Sequence, residues 1–357
     1  MPSAAPARPR FEERRLTCAA CILVDDTGRT LFARQPDLRL PNASTTKMAT
    51  ALVVTGTDGD EVVSVSAAAA STGGGGLDLE TGDRITVHDS LVGLLLSSSN
   101  DAAVALAEHV AGTEEAFVER MNRLASELGA DDTRFVTAHG LDRPGHYSTA
   151  HDLAVFGRAL LAEPPLAAIV ATAAAPITVS GDLTRVENRN PLLDTYSGAV
   201  GIKTGFTAGA GNVLVAAARR RGRTLVAVAM RAEDPAEDAR ALLNLGFRTL
   251  ERTILLDGPA PVAALVFPGG ATAVHPLERV RGPQPPESIA VRFAPNATAP
   301  VLPGEVVGDV LVTSRRIEVG RVPVVAADAV RDDDMPWPVL ALVRVVRAAA
   351  ATLGRAS

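Results

Sequence analysis

A serine and a lysine three residues apart, Ser44 and Lys47, have the types and spacing that chemistry could use. At i and i+3 on a helix, two side chains share a face with Cβ atoms about 5–6 Å apart, so the amine can reach the hydroxyl. A serine hydroxyl becomes a good nucleophile when a base takes its proton. Lysine is such a base only when neutral, and burial and a second cation both lower a lysine pKa. The pair predicts acyl transfer through an acyl-serine. Taken alone, it would more simply be a helix N-cap and a solvated lysine.

Two further motifs follow along the chain, Ser98-Ser99-Asn100 and Lys203-Thr204-Gly205. The hydroxyl of Ser98 could relay a proton to a leaving amine, and Asn100 could hydrogen-bond an amide of the substrate. Lys203 would supply the second cation beside Lys47. Backbone N–H groups at the start of a helix near Ser44 favour the oxyanion of a tetrahedral intermediate. The order and placement of the three motifs favour one shared cleft.

The elements that must position these motifs are strands near both ends of the first 253 residues and helices between them. Apolar and β-branched runs predict strands at 18–25, 30–34, 199–204, 212–218 and 224–230. Helical periodicity and capping residues predict helices at 45–55, 88–96, 101–110, 114–128 and 235–245, the last ending at Gly246. This order predicts one sheet built from distant parts of the chain, which is typical of an α+β fold rather than of a repeating βαβ pattern.

Beyond residue 253 the runs become short and often alternating, and Gly and Pro are frequent. This pattern predicts a small all-β domain. The expected organisation is a catalytic domain over 17–253, a β-rich domain over 254–330 and a helical tail over 331–357.

Composition excludes several classes of protein. The 357 residues are 47% hydrophobic and 21% charged, unlike a disordered chain. Lys and Arg total 35 against 41 Asp and Glu, a net charge of -6, and aromatic residues are only 3%, which argues against nucleic-acid binding. No apolar run reaches the roughly 18–20 residues of a membrane span, so a polytopic membrane protein is excluded.

Cysteines, glycines and histidines offer alternative sites that the sequence disfavours. Cys18 and Cys21 fall in a predicted strand, where i and i+3 lie about 10 Å apart, so we expect packing rather than a disulfide, redox or zinc role. Four glycines at 73–76 predict a mobile loop. Three nearby histidines lack the helical spacing of zinc peptidases, which favours structural hydrogen bonds over a metal: His139, His146 and His151. The arginines at 219–221 predict a solvated turn.

The two ends of the chain bear on location. Residues 1–15 are polar and lack the apolar core of a secretory signal. Near the other end, Arg344, Arg347 and Arg355 fall close to one face of a helix whose opposite face is apolar. Such a helix could lie on an anionic membrane surface or dock on its own domain, and both remain open.

Beyond the three motifs, the sequence resembles the penicillin-binding D-alanyl-D-alanine carboxypeptidases, serine peptidases of the low-molecular-mass type. The resemblance covers roughly residues 17–330. It is carried by six segments: 42–52, 94–103, 135–141, 146–150, 188–193 and 201–209. A closely similar motif trio occurs in penicillin-binding proteins and class A β-lactamases.

The resemblance implies a β-lactamase/transpeptidase-like domain, an antiparallel sheet with a helical subdomain, followed by a small all-β domain. It implies removal of the terminal D-Ala from peptidoglycan stem peptides outside the cytoplasm, acylation by β-lactams, and no cofactor. Ser44 would be the nucleophile, Lys47 the general base, and Ser98 with Asn100 the proton relay and substrate clamp. The substrate-binding residues would be Lys203, Thr204, Gly205 and Phe206, with the first two on the substrate carboxylate. The N–H groups of Ser44 and Phe206 would form the oxyanion hole.

The sequence departs from the family at one place. Where many members carry an arginine, at the start of the predicted helix 235–245, this chain has Pro235, and Arg231 is the nearest substitute for binding a carboxylate. A β-lactamase is one alternative, but its deacylating Glu-x-x-Leu-Asn is approximated only by the string at Glu163, which lacks the asparagine. A peptidoglycan-binding module without turnover is another. Endopeptidase and carboxypeptidase activities are not separated by the sequence.

Overall fold

A computed structural model describes residues 16–220, 222–252, 254–256, 263–267, 270–276, 280–281, 288–294, 300–314 and 317–329. The chain forms two compact units, residues 1–247 and 248–357. The tail predicted at 331–357 and the polar leader at 1–15 lie outside the described residues.

The first unit carries all three motifs. Its strands are β1 Ala20–Asp25, β2 Thr30–Arg34, β3 Val62–Ser64, β4 Arg84–Thr86, β5 Ala174–Val179, β6 Asp182–Glu187, β7 Ala199–Thr207, β8 Gly211–Arg220 and β9 Arg223–Ala232. Its helices are α1 Lys47–Val54, α2 Ala67–Ala70, α3 Val87–Leu95, α4 Asn100–Ala111, α5 Glu114–Glu127, α6 Ala150–Ala162, α7 Pro164–Val170, α8 Leu192–Thr195 and α9 Pro235–Arg252, which continues past the unit boundary.

Five strands form the central antiparallel sheet in the order β2-β1-β9-β8-β7. The pairing of β1 with β9 joins distant parts of the chain, as the sequence predicted. Strand β7 lies at an edge, where it pairs within this sheet only with β8. The third motif therefore sits on a strand with one open side.

Helices cover both faces of this sheet, and a glycine allows close contact on each. A Cβ on Gly157 of α6 would lie 2.9 Å from Val215 and 3.0 Å from Ile202. A Cβ on Gly246 of α9 would lie 2.6 Å from Leu225. The prediction that the last helix ends at Gly246 is wrong, because this glycine lies inside α9 and lets the helix approach the sheet.

The helices of motifs one and two lie in the apolar core beside the sheet. Thr86 caps α3 and Ser99 caps α4, each accepting a hydrogen bond from the backbone N–H three residues on. A second antiparallel sheet, β3-β4-β5-β6, was not predicted, and neither were α6 and α7. Among the described residues no single helix has the length and hydropathy to cross a bilayer. Only α6 and α7 taken together have that length and hydropathy, and the pair is bent by 108°.

The second unit is rich in β-structure. Its strands are β10 Ile254–Leu256, β11 Ala263–Phe267, β12 Gly270–Pro276, β13 Val280–Arg281, β14 Ser288–Phe293, β15 Val306–Ser314 and β16 Ile317–Ala326. Five form an antiparallel sheet in the order β11-β12-β16-β15-β14, and β10 pairs with β13. The prediction of a small all-β region in this part of the chain is confirmed.

The prediction for the two cysteines is wrong, and the prediction of a solvated turn at 219–221 holds only in part. Cys18 and Cys21 form a disulfide, with Cα atoms 6.1 Å apart, because β1 begins only at Ala20 and the chain bends at Ala19. Strands β8 and β9 pair as a hairpin at this turn, with Arg219 exposed, but Arg220 is not simply solvated, since its guanidinium lies 4.5 Å from the centre of the Tyr196 ring. The extended-strand distance and the solvated turn were both inferred from local pattern, which does not show these contacts.

Candidate active site

Ser44 lies in a short 3-10 helix, Ala43–Thr46, which leads directly into α1. The residue before it, Ala43, has φ +47°, a left-handed conformation that costs an alanine roughly 1–2 kcal/mol. Ser44 is half-buried while Thr45 and Thr46 are fully buried. The turn thus presents the Ser44 hydroxyl at the surface of a well-packed core.

The Lys47 amine is buried and has three oxygen partners. Its Nζ lies 2.9 Å from Ser44 Oγ, 2.6 Å from Asn100 Oδ1 and 2.8 Å from the carbonyl oxygen of His139. The first motif, the second motif and the segment around residue 139 therefore meet at one nitrogen. The i, i+3 spacing predicted the contact with Ser44.

The surroundings of Lys47 favour its neutral form. Burial holds the pKa of Lys47 well below its usual value, and the positive charges of Lys203 and Arg189 lower it further, against a smaller opposing effect of Asp101. A neutral amine has two N–H donors and one lone pair. The Asn100 and His139 oxygens can only accept, so they take the two N–H groups. The lone pair is then left for the Ser44 hydroxyl, which donates to it.

Motif two is held by a network around Asn100 and Asp101. Asn100 Nδ2 donates to the carbonyl of Gly73 at 2.8 Å, so the Asn100 amide is engaged at both ends within the protein. The buried Asp101 carboxylate accepts from the backbone N–H groups of Leu77 and Leu79 and from the hydroxyl of Ser99. Motif two is therefore tied to the chain segment that follows the glycines.

Two of the four glycines at 73–76, where a mobile loop is predicted, pack closely against motif two. A Cβ on Gly74 would lie 2.8 Å from Asn100 Nδ2 and 2.9 Å from Leu141, and a Cβ on Gly76 would overlap the Asp101 carboxylate. Gly74 also has φ +85°. Gly74 and Gly76 bring the backbone into direct contact with motif two. Close packing therefore explains glycine at these two positions, although a run of glycines by itself indicates flexibility.

Ser98 is buried and has φ +69°, an uncommon conformation for serine. In the described part of the chain its hydroxyl makes no hydrogen bond. It is thus the one side chain of motif two whose polar group is not engaged there.

The third motif lies within β7, close to the nucleophile. A Cβ on Gly205 would be 3.0 Å from the backbone nitrogen of Ser44, so glycine allows the strand to approach the turn. Lys203 is buried, and its Nζ donates to the carbonyl of Thr204 at 3.1 Å. Burial and Arg189 lower the pKa of Lys203 to about 7. Thr204 is half-buried, and the side chain of Phe206 is 68% exposed.

Arg189 is a charge that the sequence-based reasoning did not assign to the site. Its positive charge lowers the pKa values of both Lys47 and Lys203. The only signal for it was its place within segment 188–193. Arg231, expected as the substitute cation, donates to the carbonyl of Gly209 at the end of the β7–β8 hairpin. Glu163 is the N-cap residue of α7 and makes no hydrogen bond to Ser44 or Lys47 among the described residues.

The buried histidines take part in hydrogen bonds next to the site. His139 Nδ1 accepts from the backbone N–H of Leu141, and burial lowers the pKa of His139 to about 3. His146 contacts the hydroxyl of Thr46. The described residues contain no cluster of three or more His, Cys, Asp or Glu side chains that could hold a metal ion.

Comparison with known proteins gives a consistent result. Residues 7–234, more than half of the chain, match the family model described as D-alanyl-D-alanine carboxypeptidase. The D-alanyl-D-alanine carboxypeptidase DacF of Bacillus subtilis is 36% identical over 226 residues, which are 61% of this chain and 58% of that protein. This chain spans 58–66% of the length of the first curated relatives that it matches.

Solved structures match as well. The Streptomyces K15 DD-transpeptidase superposes with a TM-score of 0.62 at 30% identity, covering 65% of this chain and 98% of that one. The D-alanyl-D-alanine carboxypeptidase DacD of Francisella tularensis, 24% identical, has the same fold over 93% of this chain, with a TM-score of 0.64. The expected fold, a transpeptidase-like domain followed by a small all-β region, is confirmed. With its Ser-x-x-Lys pair, Ser-x-Asn motif and Lys-Thr-Gly strand brought close together, the chain belongs to the D-alanyl-D-alanine carboxypeptidase family.

Proposed function

We propose that this protein is a serine D-alanyl-D-alanine carboxypeptidase that removes the terminal D-Ala from peptidoglycan stem peptides and is acylated by β-lactams. One observation carries the proposal: a buried lysine whose pKa is strongly lowered lies 2.9 Å from a half-exposed serine hydroxyl. This is the arrangement that activates serine for attack on a carbonyl. Family membership supports the carbonyl of the penultimate D-Ala as the one attacked.

Acylation begins when Ser44 Oγ attacks the carbonyl carbon and its proton passes to Lys47 Nζ. The ammonium that forms already has two acceptors, Asn100 Oδ1 and the His139 carbonyl. The oxyanion of the tetrahedral intermediate is assigned to the backbone N–H groups of Ser44 and Phe206. As the carbon–nitrogen bond breaks, the proton on Lys47 reaches the leaving D-Ala nitrogen through the Ser98 hydroxyl.

Deacylation uses the same groups. A water molecule attacks the acyl carbon, Lys47 takes its proton, and the proton returns to Ser44 Oγ as the ester bond breaks. Lys203 and Thr204 are assigned to the terminal carboxylate of the substrate. Asn100 acts here mainly by orienting Lys47, because its side chain already bonds Lys47 and Gly73.

The reaction is placed outside the cytoplasm, where peptidoglycan is exposed. The Cys18–Cys21 disulfide supports this location, because structural disulfides persist mainly in oxidising compartments. The tail at 331–357 is proposed as a contact with an anionic membrane surface.

The test is intact-protein mass spectrometry after incubation with a penicillin, on wild type and Ser44→Ala, beside a D-Ala release assay on a D-alanyl-D-alanine peptide. We expect a persistent adduct on wild type alone, together with D-Ala release. An adduct without release would indicate a binding module, and rapid loss of the adduct with destruction of the penicillin a β-lactamase. The absence of any adduct would overturn the acyl-serine mechanism.

A further inference from the structure

A chain of buried hydrogen bonds reaches the nucleophile turn from a residue about 100 positions away in the sequence. His146 and Thr46 are both buried, and His146 Nε2 lies 2.8 Å from Thr46 Oγ1. Thr46 Oγ1 in turn donates to the carbonyl oxygen of Ala43 at 2.8 Å. Asn42 Nδ2 donates to the same hydroxyl at 2.9 Å. Every hydrogen-bonding capacity of the Thr46 hydroxyl is therefore used.

The geometry fixes which nitrogen of His146 carries the proton. The backbone N–H of Val136 points at His146 Nδ1 from 3.1 Å, so Nδ1 accepts. Burial lowers the pKa of His146 to about 4, which keeps the ring neutral. The proton is therefore on Nε2, and His146 donates to Thr46. Because Thr46 then accepts from His146 and Asn42, its own hydrogen is directed to Ala43.

The atom at the end of this chain is the backbone carbonyl next to the nucleophile. Ala43 has φ +47°, a conformation that must be stabilised by its surroundings. The space around its carbonyl is tight, because a Cβ on Gly140 would overlap the Ala43 oxygen and lie 2.6 Å from Thr46 Oγ1. His146 also packs edge-on against the ring of Phe135. The ring is thus fixed at one end and directs a donor at the other.

We propose that His146 is a positioning residue that, through Thr46, holds the strained Ala43 peptide and so aims Ser44 Oγ at the lone pair of Lys47. The proposal rests on the proposed function. It assigns His146 no contact with substrate and no proton transfer. It predicts that the two ring nitrogens have separable roles: Nδ1 supports the segment around Val136, and Nε2 supports the nucleophile.

The experiment uses substitutions that keep one nitrogen's role at a time. His146→Gln retains a donor that can reach Thr46, whereas His146→Asn retains only an acceptor for the Val136 N–H. Asn122→Ala is the matched control, since Asn122 bonds the N–H and carbonyl of neighbouring Phe135 without continuing to the nucleophile turn. Thr46→Val, with Thr46→Ser beside it, tests the middle of the chain if the His146 variants fold poorly.

The readout is penicillin acylation followed to saturation, which separates the acylation rate constant from the binding constant, together with Tm. Displacing a reacting group by about 1 Å can cost 10²-fold, so His146→Asn and Thr46→Val should lower the rate constant about 10- to 100-fold with little change in binding. His146→Gln, Thr46→Ser and Asn122→Ala should stay within about 3-fold of wild type.

Equal losses in His146→Gln and His146→Asn would overturn the positioning role. So would a loss in Asn122→Ala as large as that in His146→Asn, since this would show that general loosening is enough. A wild-type chain that forms no penicillin adduct would overturn the proposed function itself. An acylated wild type with a fully active His146→Asn would overturn only the role of His146.

Discussion

The two sides of the candidate site, the nucleophile turn with α1 and the edge strand β7, each carry a buried lysine, but the lysines are held differently. On the nucleophile side, Lys47 Nζ has three oxygen partners from three parts of the chain. On the strand side, Lys203 Nζ donates to one carbonyl, that of the adjacent Thr204. Burial is the main cause of a lowered pKa in both. The positive charges of Lys203 and Arg189 lower the pKa of Lys47 further, and Arg189 also lowers the pKa of Lys203.

This difference separates the lysines into two roles. Its surroundings hold the pKa of Lys47 well below its usual value, and burial and Arg189 lower the pKa of Lys203 to about 7. The lowered pKa of Lys47 favours an amine that can take a proton, and near pH 7 Lys203 still carries part of its charge. Pairs of titratable groups whose environments separate their pKa values are typical of acid–base catalysis. In the proposed mechanism, Lys47 on the nucleophile side is the base and Lys203 on the strand side is the cation.

Removing the base should give the largest effect. General-base catalysis typically contributes 10²- to 10⁴-fold, so Lys47→Met should lower the rate of penicillin acylation by about 10³-fold. The folded pKa of Lys47 lies below the unfolded value of about 10.4, so its burial costs folding free energy at neutral pH. Methionine removes that cost, and the variant should unfold at a Tm no lower than wild type. The measurement pairs acylation kinetics with thermal unfolding.

Lys203→Met is the matched variant on the other side of the candidate site. This variant removes a buried amine of the same kind. We expect its loss of activity to appear mainly as a higher KM for a peptide with a free terminal carboxylate. If both variants lost the same fraction of the acylation rate constant, the division between base and cation would be wrong.

The sequence predicted one side of this comparison better than the other. Ser44 and Lys47 are joined by local helical geometry, so their spacing was enough to predict the contact. The lowered pKa of Lys47 was also expected, from burial and Lys203. Arg189 was not expected as a contributor, because no local pattern shows that residue 189 comes close to two distant lysines.

Glycines mark the limit of local prediction most clearly. The tract at 73–76 and Gly246 were taken as a mobile loop and a helix end, the usual meanings of glycine in a sequence. In the structure Gly74 and Gly246 lie where a Cβ would collide with a distant segment, at Asn100 and at Leu225. The prediction that Cys18 and Cys21 lie too far apart for a disulfide also failed, since the bend at Ala19 shortens their separation. Tertiary proximity decided the two glycine sites, and a local bend decided the cysteine pair.

The pH dependence should sharpen the comparison between the lysines. Because the pKa of Lys203 is lowered to about 7, its charge is present below that pH and is lost as pH rises through it. The value of kcat/KM reports the free enzyme, so for a carboxylate-terminated peptide it should fall above about pH 7 by up to tenfold per unit. The measurement is kcat/KM for D-Ala release between about pH 6 and 9.

Two changes should remove this pH dependence. Lys203→Arg keeps its charge throughout the range and should flatten the alkaline decline, whatever its absolute activity. A peptide amidated at its C-terminus has no terminal carboxylate for Lys203 to bind, so its kcat/KM should also show no decline. A decline of unchanged size in Lys203→Arg would assign the titration to another group.

The two sides also differ in how firmly they are held. The nucleophile turn is fixed by buried groups, Thr46 and His146 among them. The end of β7 is fixed by the exposed Asp142, whose carboxylate accepts from Thr207 Oγ1 at 2.6 Å and from the N–H of Gly209 at 2.9 Å. Exposed hydrogen bonds contribute less than buried ones because water competes for both partners.

The smallest effect is therefore expected from Asp142→Ala. The edge strand β7 would keep its pairing with β8 and lose only this attachment, so acylation should slow by about 3- to 10-fold, less than for the buried His146. Asp83→Ala is the control, because Asp83 likewise accepts from a hydroxyl, that of Ser180, and from a backbone N–H, that of Glu80, at a turn with none of the motifs. The two variants should lose similar stability while only Asp142→Ala slows acylation. A loss in Asp142→Ala larger than in His146→Asn would reverse the comparison, and would make the strand the side whose placement limits the chemistry.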